Sequence, residues 1–215
     1  MISLFVFDLD GTLVDSRRDI ADAANELLVS CGAPPLPETD IGRMVGDGAA
    51  RLVARAFRAS GVECPTDALE RYLALYDERL LNHTRPYSGI PGALEALGQR
   101  AALAVLTNKP MASTRRILAG LDLARYFPAA AVLGGDGPFP RKPDPAALRH
   151  LIAGVAAAAD STLMVGDSVV DWQTARAAPA RVCLVRYGFG FDSVPLHELA
   201  AGDRVIDAPS DLLSL

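Results

Sequence analysis

The chain has 215 residues, half of them hydrophobic and 22% charged, enough to bury one full-sized core or a core with a small inserted unit. Its 21 Lys+Arg against 26 Asp+Glu give a net charge of −5 with no basic block, which argues against a nucleic-acid backbone as partner. Cys31, Cys64 and Cys183 are odd in number and form no CxxC pair, so they read as reduced thiols in a cytoplasmic protein. No secretory leader pattern and no membrane-length apolar run appears.

The first apolar run, "ISLFVF" (2–7), predicts a buried strand that stops at Asp8 and Asp10. From Ser16 to about Arg85 the pattern is helical. Ile20, Ala24, Leu27 and Leu28 form one apolar stripe, Leu52, Val53, Ala56 and Phe57 a second, and Leu69, Leu73, Tyr76 and Leu80 a third. Turn-rich stretches at 31–38, 45–48 and 60–67 separate them.

Five more short runs follow: "LAVLT" (103–107), "AAVL" (130–133), "TLMVG" (162–166), "VCLVR" (182–186) and "RVID" (204–207). Helical stripes at Leu94 and Leu97, at Ile117, Leu118 and Leu121, and at Leu148, Leu151 and Ile152 lie among the earlier ones. Strands without polar alternation, separated by helices, predict a parallel sheet covered on both faces. The fold expected is α/β: a Rossmann-like three-layer core (residues 1–15 and 85–215) with a small all-helical cap (16–84) inserted after the first strand.

A parallel sheet brings four chemically distinctive stretches to one edge. Asp8 and Asp10 follow the first strand, Thr107, Asn108 and Lys109 the second; Lys142 comes shortly after the third, and Asp167 and Asp171 follow the fourth. Carboxylates at the tip of an apolar strand are costly to desolvate and repel one another. A divalent cation offsets that cost, and an oxygen-rich set suits Mg²⁺. Lys142 supplies a point charge for a phosphoryl oxygen and Thr107 a hydroxyl donor. The set fits phosphoryl transfer to Asp8, with Asp10 protonating the leaving alkoxide and then activating water.

Each stretch also has a purely structural reading. Asp8-Leu9-Asp10-Gly11-Thr12 can be a capped turn. Asn108 can be a helix N-cap, and Asp144 another, followed by Pro145 at the first helical position. Lys142 alone can be a solvated surface lysine, Asp167 or Ser168 a cap, and Asp171 an acid in a first helical turn. The coincidence of complementary chemistry at four successive strand ends favours a functional site.

"FDLDGTLVDS" (7–16), "LTNKP" (106–110), "RKPDP" (141–145) and "MVGDSVVD" (164–171) resemble, in order and spacing, the four motifs of the haloacid dehalogenase superfamily of phosphohydrolases. The resemblance implies a Mg²⁺-dependent enzyme with an aspartyl-phosphate intermediate. It implies Asp8 as nucleophile and metal ligand, and Asp10 as acid/base and as metal ligand through its backbone carbonyl. Lys142 would stabilise nucleophile and phosphate. Thr107 would hold the phosphoryl group with Asn108 beside it, Asp167 would complete the metal site, and Asp171 would act in or near its outer shell.

An aspartate at position 10 favours phosphatase or phosphomutase chemistry over dehalogenation. The helical insert is similar to the cap of the branch holding phosphoglycolate phosphatases and β-phosphoglucomutases. "GRMVGDGAARLVARAF" (42–57), "HTRPYSGIPGALEAL" (83–97), "VLGGD" (132–136) and "RYGFGF" (186–191) resemble the phosphoglycolate phosphatase group. The substrate implied is a small phosphorylated metabolite, 2-phosphoglycolate first, with a sugar phosphate, nucleotide or pyrophosphate, or a phosphomutase reaction, as alternatives. Arg43, beside Gly46-Asp47-Gly48, is the candidate for meeting a small anionic substrate, and an exposed helix-end arginine is its structural alternative. No nucleic acid or membrane is expected as partner, and the enzyme is expected as monomer or homodimer. In "ARAAPARV" (175–182), Pro179 stands where the family places glycine, so a different turn is expected there.

Overall fold

The computed structural model describes all of residues 1–215. In chain order the elements are β1 (Leu4–Phe7), β2 (Val14–Asp15), α1 (Arg17–Ser30), α2 (Glu38–Gly42), α3 (Ala49–Ser60), α4 (Ala68–Arg79) and β3 (Arg85–Pro86). Then come α5 (Ile90–Gly98), β4 (Ala102–Leu106), α6 (Met111–Gly120), β5 (Val132–Leu133), α7 (Ala146–Gly154), β6 (Thr162–Gly166), α8 (Val169–Ala177), β7 (Arg181–Val185) and β8 (Arg204–Ile206). No helix is long and apolar enough to cross a membrane.

Six strands form one parallel sheet in the order β5-β4-β1-β6-β7-β8. Adjacent strand residues point to opposite faces, and both faces are buried. Phe5, Phe7, Val105, Val165 and Cys183 belong to one hydrophobic cluster with α5 and α6. Leu4, Val6, Leu106, Met164 and Leu184 belong to another with α7 and α8. This is the three-layer α/β architecture expected from strands that lack polar alternation. The chain leaves β1 for β4 on one side and later returns to β6 on the other. That reversal opens a crevice at the carboxyl ends of β1 and its neighbours, where open α/β sheets bind ligands.

The four helices between β2 and β3 pack on one another and join the first cluster. A two-residue antiparallel ribbon, β2 with β3, ties together the two ends of this insertion. The apolar stripe of α4 differs from expectation. Its buried face is Ala68, Tyr72, Tyr76 and Leu80, whereas Leu69 is exposed and Leu73 half-buried. Tyr76 and Leu80 are buried as expected; at the start of the helix two adjacent stripes are apolar enough to face inward, and packing against α1 and α3 selects Ala68 and Tyr72 over Leu69 and Leu73.

The turn after α8 also differs from expectation. Ala180 N donates to Ala175 O, the i→i−5 bond that closes a helix through a left-handed residue, and Pro179 has positive φ (30°). Ala178 and Ala180 on either side of Pro179 are buried. All three cysteines are free, and burial pushes the Cys183 thiol up to about 12.

Candidate active site

The site begins where β1 ends. Asp8 N donates to Val165 O, extending the β1–β6 pairing by one residue and bringing the Asp8 carboxylate to the sheet edge. Gly11 then turns the chain at φ +85°, where a side chain would be strained, and a Cβ there would lie 2.1 Å from Asp167 Oδ2. The turn after β1 and the tip of β6 are therefore in direct contact. The reading of Asp8–Thr12 as a capped turn accounts for the backbone but leaves both carboxylates to other partners.

Lys142 is buried, contrary to its reading as a solvated surface lysine. Its ammonium lies 2.9 Å from Asp8 Oδ1 and donates at 2.6 Å to Asp171 Oδ1. Burial works against the ammonium, but Asp171 and Asp8 outweigh it, so its pKa is raised and it stays charged. Asp171 takes a hydrogen bond from Lys142 and also caps α8. Its Oδ2 accepts from Ser168 N at 3.1 Å and Ser168 Oγ at 2.7 Å. Ser168 is thus the N-cap of α8, as one of its readings had it, and Asp171 is the first-turn acid that the dipole favours, with a bond to Lys142 besides.

Asp8, Asp167 and Asp171 each offer a carboxylate oxygen within 4.8 Å of the others. Burial pushes the Asp8 carboxyl up to about 6; Lys142 opposes this, and Asp171 and Asp10 reinforce it. Asp167 is raised well above the ordinary carboxylate range by burial, then by Asp171 and Asp8, against a hydrogen bond from Gly190 N at 2.8 Å. Once ionised, three carboxylates against one ammonium would leave two surplus negative charges in a desolvated, all-oxygen donor set, which is why burial raises Asp8 and Asp167. A divalent cation fits that set in charge and hardness.

The Asp10 side chain points elsewhere. Both its oxygens accept from Lys109 Nζ at 2.9 Å, and Oδ1 also accepts from Ser16 Oγ at 2.5 Å. Ser16 precedes α1 in the N-cap position, yet its hydroxyl makes no cap bond, being spent on Asp10. Lys109 Nζ lies 4.5 Å from the Tyr76 ring centroid, a cation–π contact that links the end of β4 to α4.

Thr107 is buried beside Asp8, and its Oγ1 accepts from Lys109 N at 3.2 Å. Asn108 is not an N-cap, because α6 begins three residues later at Met111. Its Nδ2 instead donates at 2.9 Å to Gly46 O and at 2.9 Å to Lys142 O. Asp144 Oδ1 does accept from Ala146 N at the start of α7, as its capping role required.

Asp8, Asp10, Thr107, Asn108 and Lys109 form the floor of a cavity roofed by Val45, Ala49, Leu52, Tyr72 and Tyr76 of the helical insertion. Arg43 is not brought into it. Its side chain is 64% exposed, paired with Asp40, and borders a neighbouring open groove with Asp47 and Arg55.

Lys109, Ser16 and Gly190 are site residues to which the sequence alone assigns no part in the chemistry. A lysine three residues past the end of an apolar strand is the available signal for Lys109. For Gly190 the signal was weaker, the Gly-Phe-Gly run at 188–190.

The fold and this constellation define a class, and comparison agrees. The model of the haloacid dehalogenase-like hydrolase family matches residues 5–185, and the chain belongs to that family. Its relatives carry a narrower name. The phosphoglycolate phosphatase of Rhodospirillum rubrum is 45% identical over 201 residues, covering 88% of this chain and 81% of that protein. The phosphoglycolate phosphatase of Agrobacterium fabrum is 38% identical over 212 residues, covering 95% and 88%. Among solved structures, a predicted phosphoglycolate phosphatase from Haemophilus somnus superposes with a TM-score of 0.87 at 30% identity, covering 99% of this chain and 97% of that one.

Proposed function

We propose that this chain is a cytoplasmic, Mg²⁺-dependent phosphatase of a small phosphomonoester, converting 2-phosphoglycolate to glycolate and phosphate. The observation that carries the reading is the buried Asp8 carboxylate at the switch point of the sheet, 2.9 Å from Lys142 and within 4.8 Å of Asp167 and Asp171. The relatives' shared name supports the choice of substrate.

In this reading an Asp8 oxygen attacks phosphorus, and the bond from phosphorus to the ester oxygen breaks. Asp10 gives its proton to the departing alkoxide. It then takes a proton from the water that attacks the aspartyl-phosphate, which frees phosphate and restores Asp8. Lys142 and Thr107 stabilise charge on the phosphoryl oxygens, and Asn108 holds the Lys142 loop through its backbone carbonyl. Mg²⁺, held by Asp8, Asp167 and the Asp10 carbonyl with Asp171 outside them, would neutralise the carboxylates and draw charge from the phosphoryl group.

Residues 16–84 act as a cap on this site, moving about the connections at β2 and β3 and excluding water when shut. The cavity between insertion and core has about 50 Å³ of internal space, which favours a small leaving group over a nucleoside. A kcat/KM panel across 2-phosphoglycolate, sugar phosphates, nucleotides and pyrophosphate, with Mg²⁺ and with EDTA, tests the reading. Hydrolysis led by 2-phosphoglycolate and abolished by EDTA is expected. Equal turnover of every ester, or turnover that survives EDTA, contradicts it.

A further inference from the structure

We propose that Lys109 is the specificity-determining cation of this site, the group that pairs with a second anionic group, a carboxylate, on the phosphate ester. The inference rests on the phosphatase reading and names what selects among its substrates.

Among the residues lining the cavity, Lys109 is the sole cation. Arg43, the sequence-based candidate, lies outside. Lys142 lies outside that lining, between Asp8 and Asp171, where its remaining donor serves the phosphoryl group. A substrate anion other than the phosphoryl group therefore has one positive partner inside the cavity.

The position of Lys109 fits that task. The group that protonates the ester oxygen must touch it, and Lys109 Nζ is one hydrogen bond beyond both oxygens of that group, Asp10. In a 2-phosphocarboxylate the carboxyl carbon is two bonds from the ester oxygen. A leaving group that reaches Asp10 thus carries its carboxylate to the neighbourhood of Lys109, and the ammonium's three donors can serve both carboxylates.

The surroundings strengthen the pair. Leu52, Val45 and Tyr72 wall the cavity, so the ammonium and an incoming carboxylate meet in a poorly solvated space. Tyr76 lies under the ammonium and carries a buried hydroxyl with no hydrogen-bond partner. Burial, then Asp10 and Asp19, raise its pKa, so it remains a donor.

Lys109 also holds Asp10, so a general loss of activity on its removal would not identify this role. The measurement is the ratio of kcat/KM for 2-phosphoglycolate to that for ethyl phosphate, which matches it in backbone and lacks the carboxylate. In Lys109→Met the ratio is expected to fall by about tenfold or more, mainly through KM, with partial recovery in Lys109→Arg. An unchanged ratio, with both substrates losing equally, overturns the proposal.

Wild-type enzyme provides a check that needs no variant. Glycolate is expected to inhibit ethyl phosphate hydrolysis competitively at concentrations where glycolamide does not, and equal inhibition also overturns the proposal. If wild type hydrolyses ethyl phosphate but shows no preference for 2-phosphoglycolate, the inference fails together with the choice of substrate, while phosphomonoesterase chemistry at Asp8 stands. If it hydrolyses neither ester with Mg²⁺ present, both fail.

Discussion

Asn108 and Gly46 join the floor and roof of the site: the Asn108 amide donates at 2.9 Å to the Gly46 carbonyl, in the turn between α2 and α3. The same amide nitrogen donates at 2.9 Å to Lys142 O, so one side chain spans the insertion, the end of β4 and the loop that carries Lys142. Asn108→Ala leaves two carbonyls without this donor. A loss of about 2–3 kcal/mol in urea unfolding is expected, together with a fall in kcat as Lys142 loses its support. Unchanged stability and turnover would show that the bridge is incidental.

The buried carboxylates make stability depend on pH. With its carboxyl pushed up to about 6 from an ordinary 3.8, folded Asp8 retains a proton that the unfolded chain has released between those values. Its contribution is thus fully present below about pH 4 and is lost as pH rises through about 6. The loss is on the order of 2–3 kcal/mol, and Asp167 acts in the same direction. In EDTA, the unfolding free energy of wild type relative to Asp8→Asn is expected to fall between pH 4.5 and 7. Mg²⁺ binding requires the deprotonated carboxylates, so it should raise Tm more at pH 7.5 than at pH 5. A larger shift at pH 5 would contradict the assignment of the cluster.

Gly11 combines φ +85° with a virtual Cβ 2.1 Å from Asp167 Oδ2. Gly11→Ala is expected to cost at least about 1–3 kcal/mol of stability from backbone strain alone. Displacement of Asp167 should also weaken Mg²⁺ binding, read as a rise in the Mg²⁺ concentration for half-maximal activity. Unchanged Mg²⁺ dependence would separate Asp167 from the metal.

The fold and the floor of the site were legible because they rest on local patterns. Strand tips with carboxylates at 8, 167 and 171 and a lysine at 142 are visible in the chain, and a parallel sheet has only one edge at which to gather them. What was not legible depends on pairings between distant residues. Lys109 could not be matched to Asp10, 99 residues away, from spacing. The face of α4 is legible at Tyr76 and Leu80, which are buried, and not at Leu69 and Leu73, which are as apolar as Ala68 and Tyr72; packing against α1 and α3 decides between them. The β2–β3 ribbon is two residues per strand, too short for any alternation to register. Arg43 was chosen for its charge and its neighbouring turn, neither of which fixes the direction of a side chain.

The central claim is that Asp8 is the nucleophile of a phosphomonoesterase. Steady-state phosphate release from 2-phosphoglycolate with saturating Mg²⁺, by wild type and by Asp8→Asn shown folded by its unfolding transition, tests it most directly. Wild type should turn over, and the variant should lose at least about a thousandfold in kcat. A folded Asp8→Asn that hydrolyses the ester within a few-fold of wild type would contradict the account.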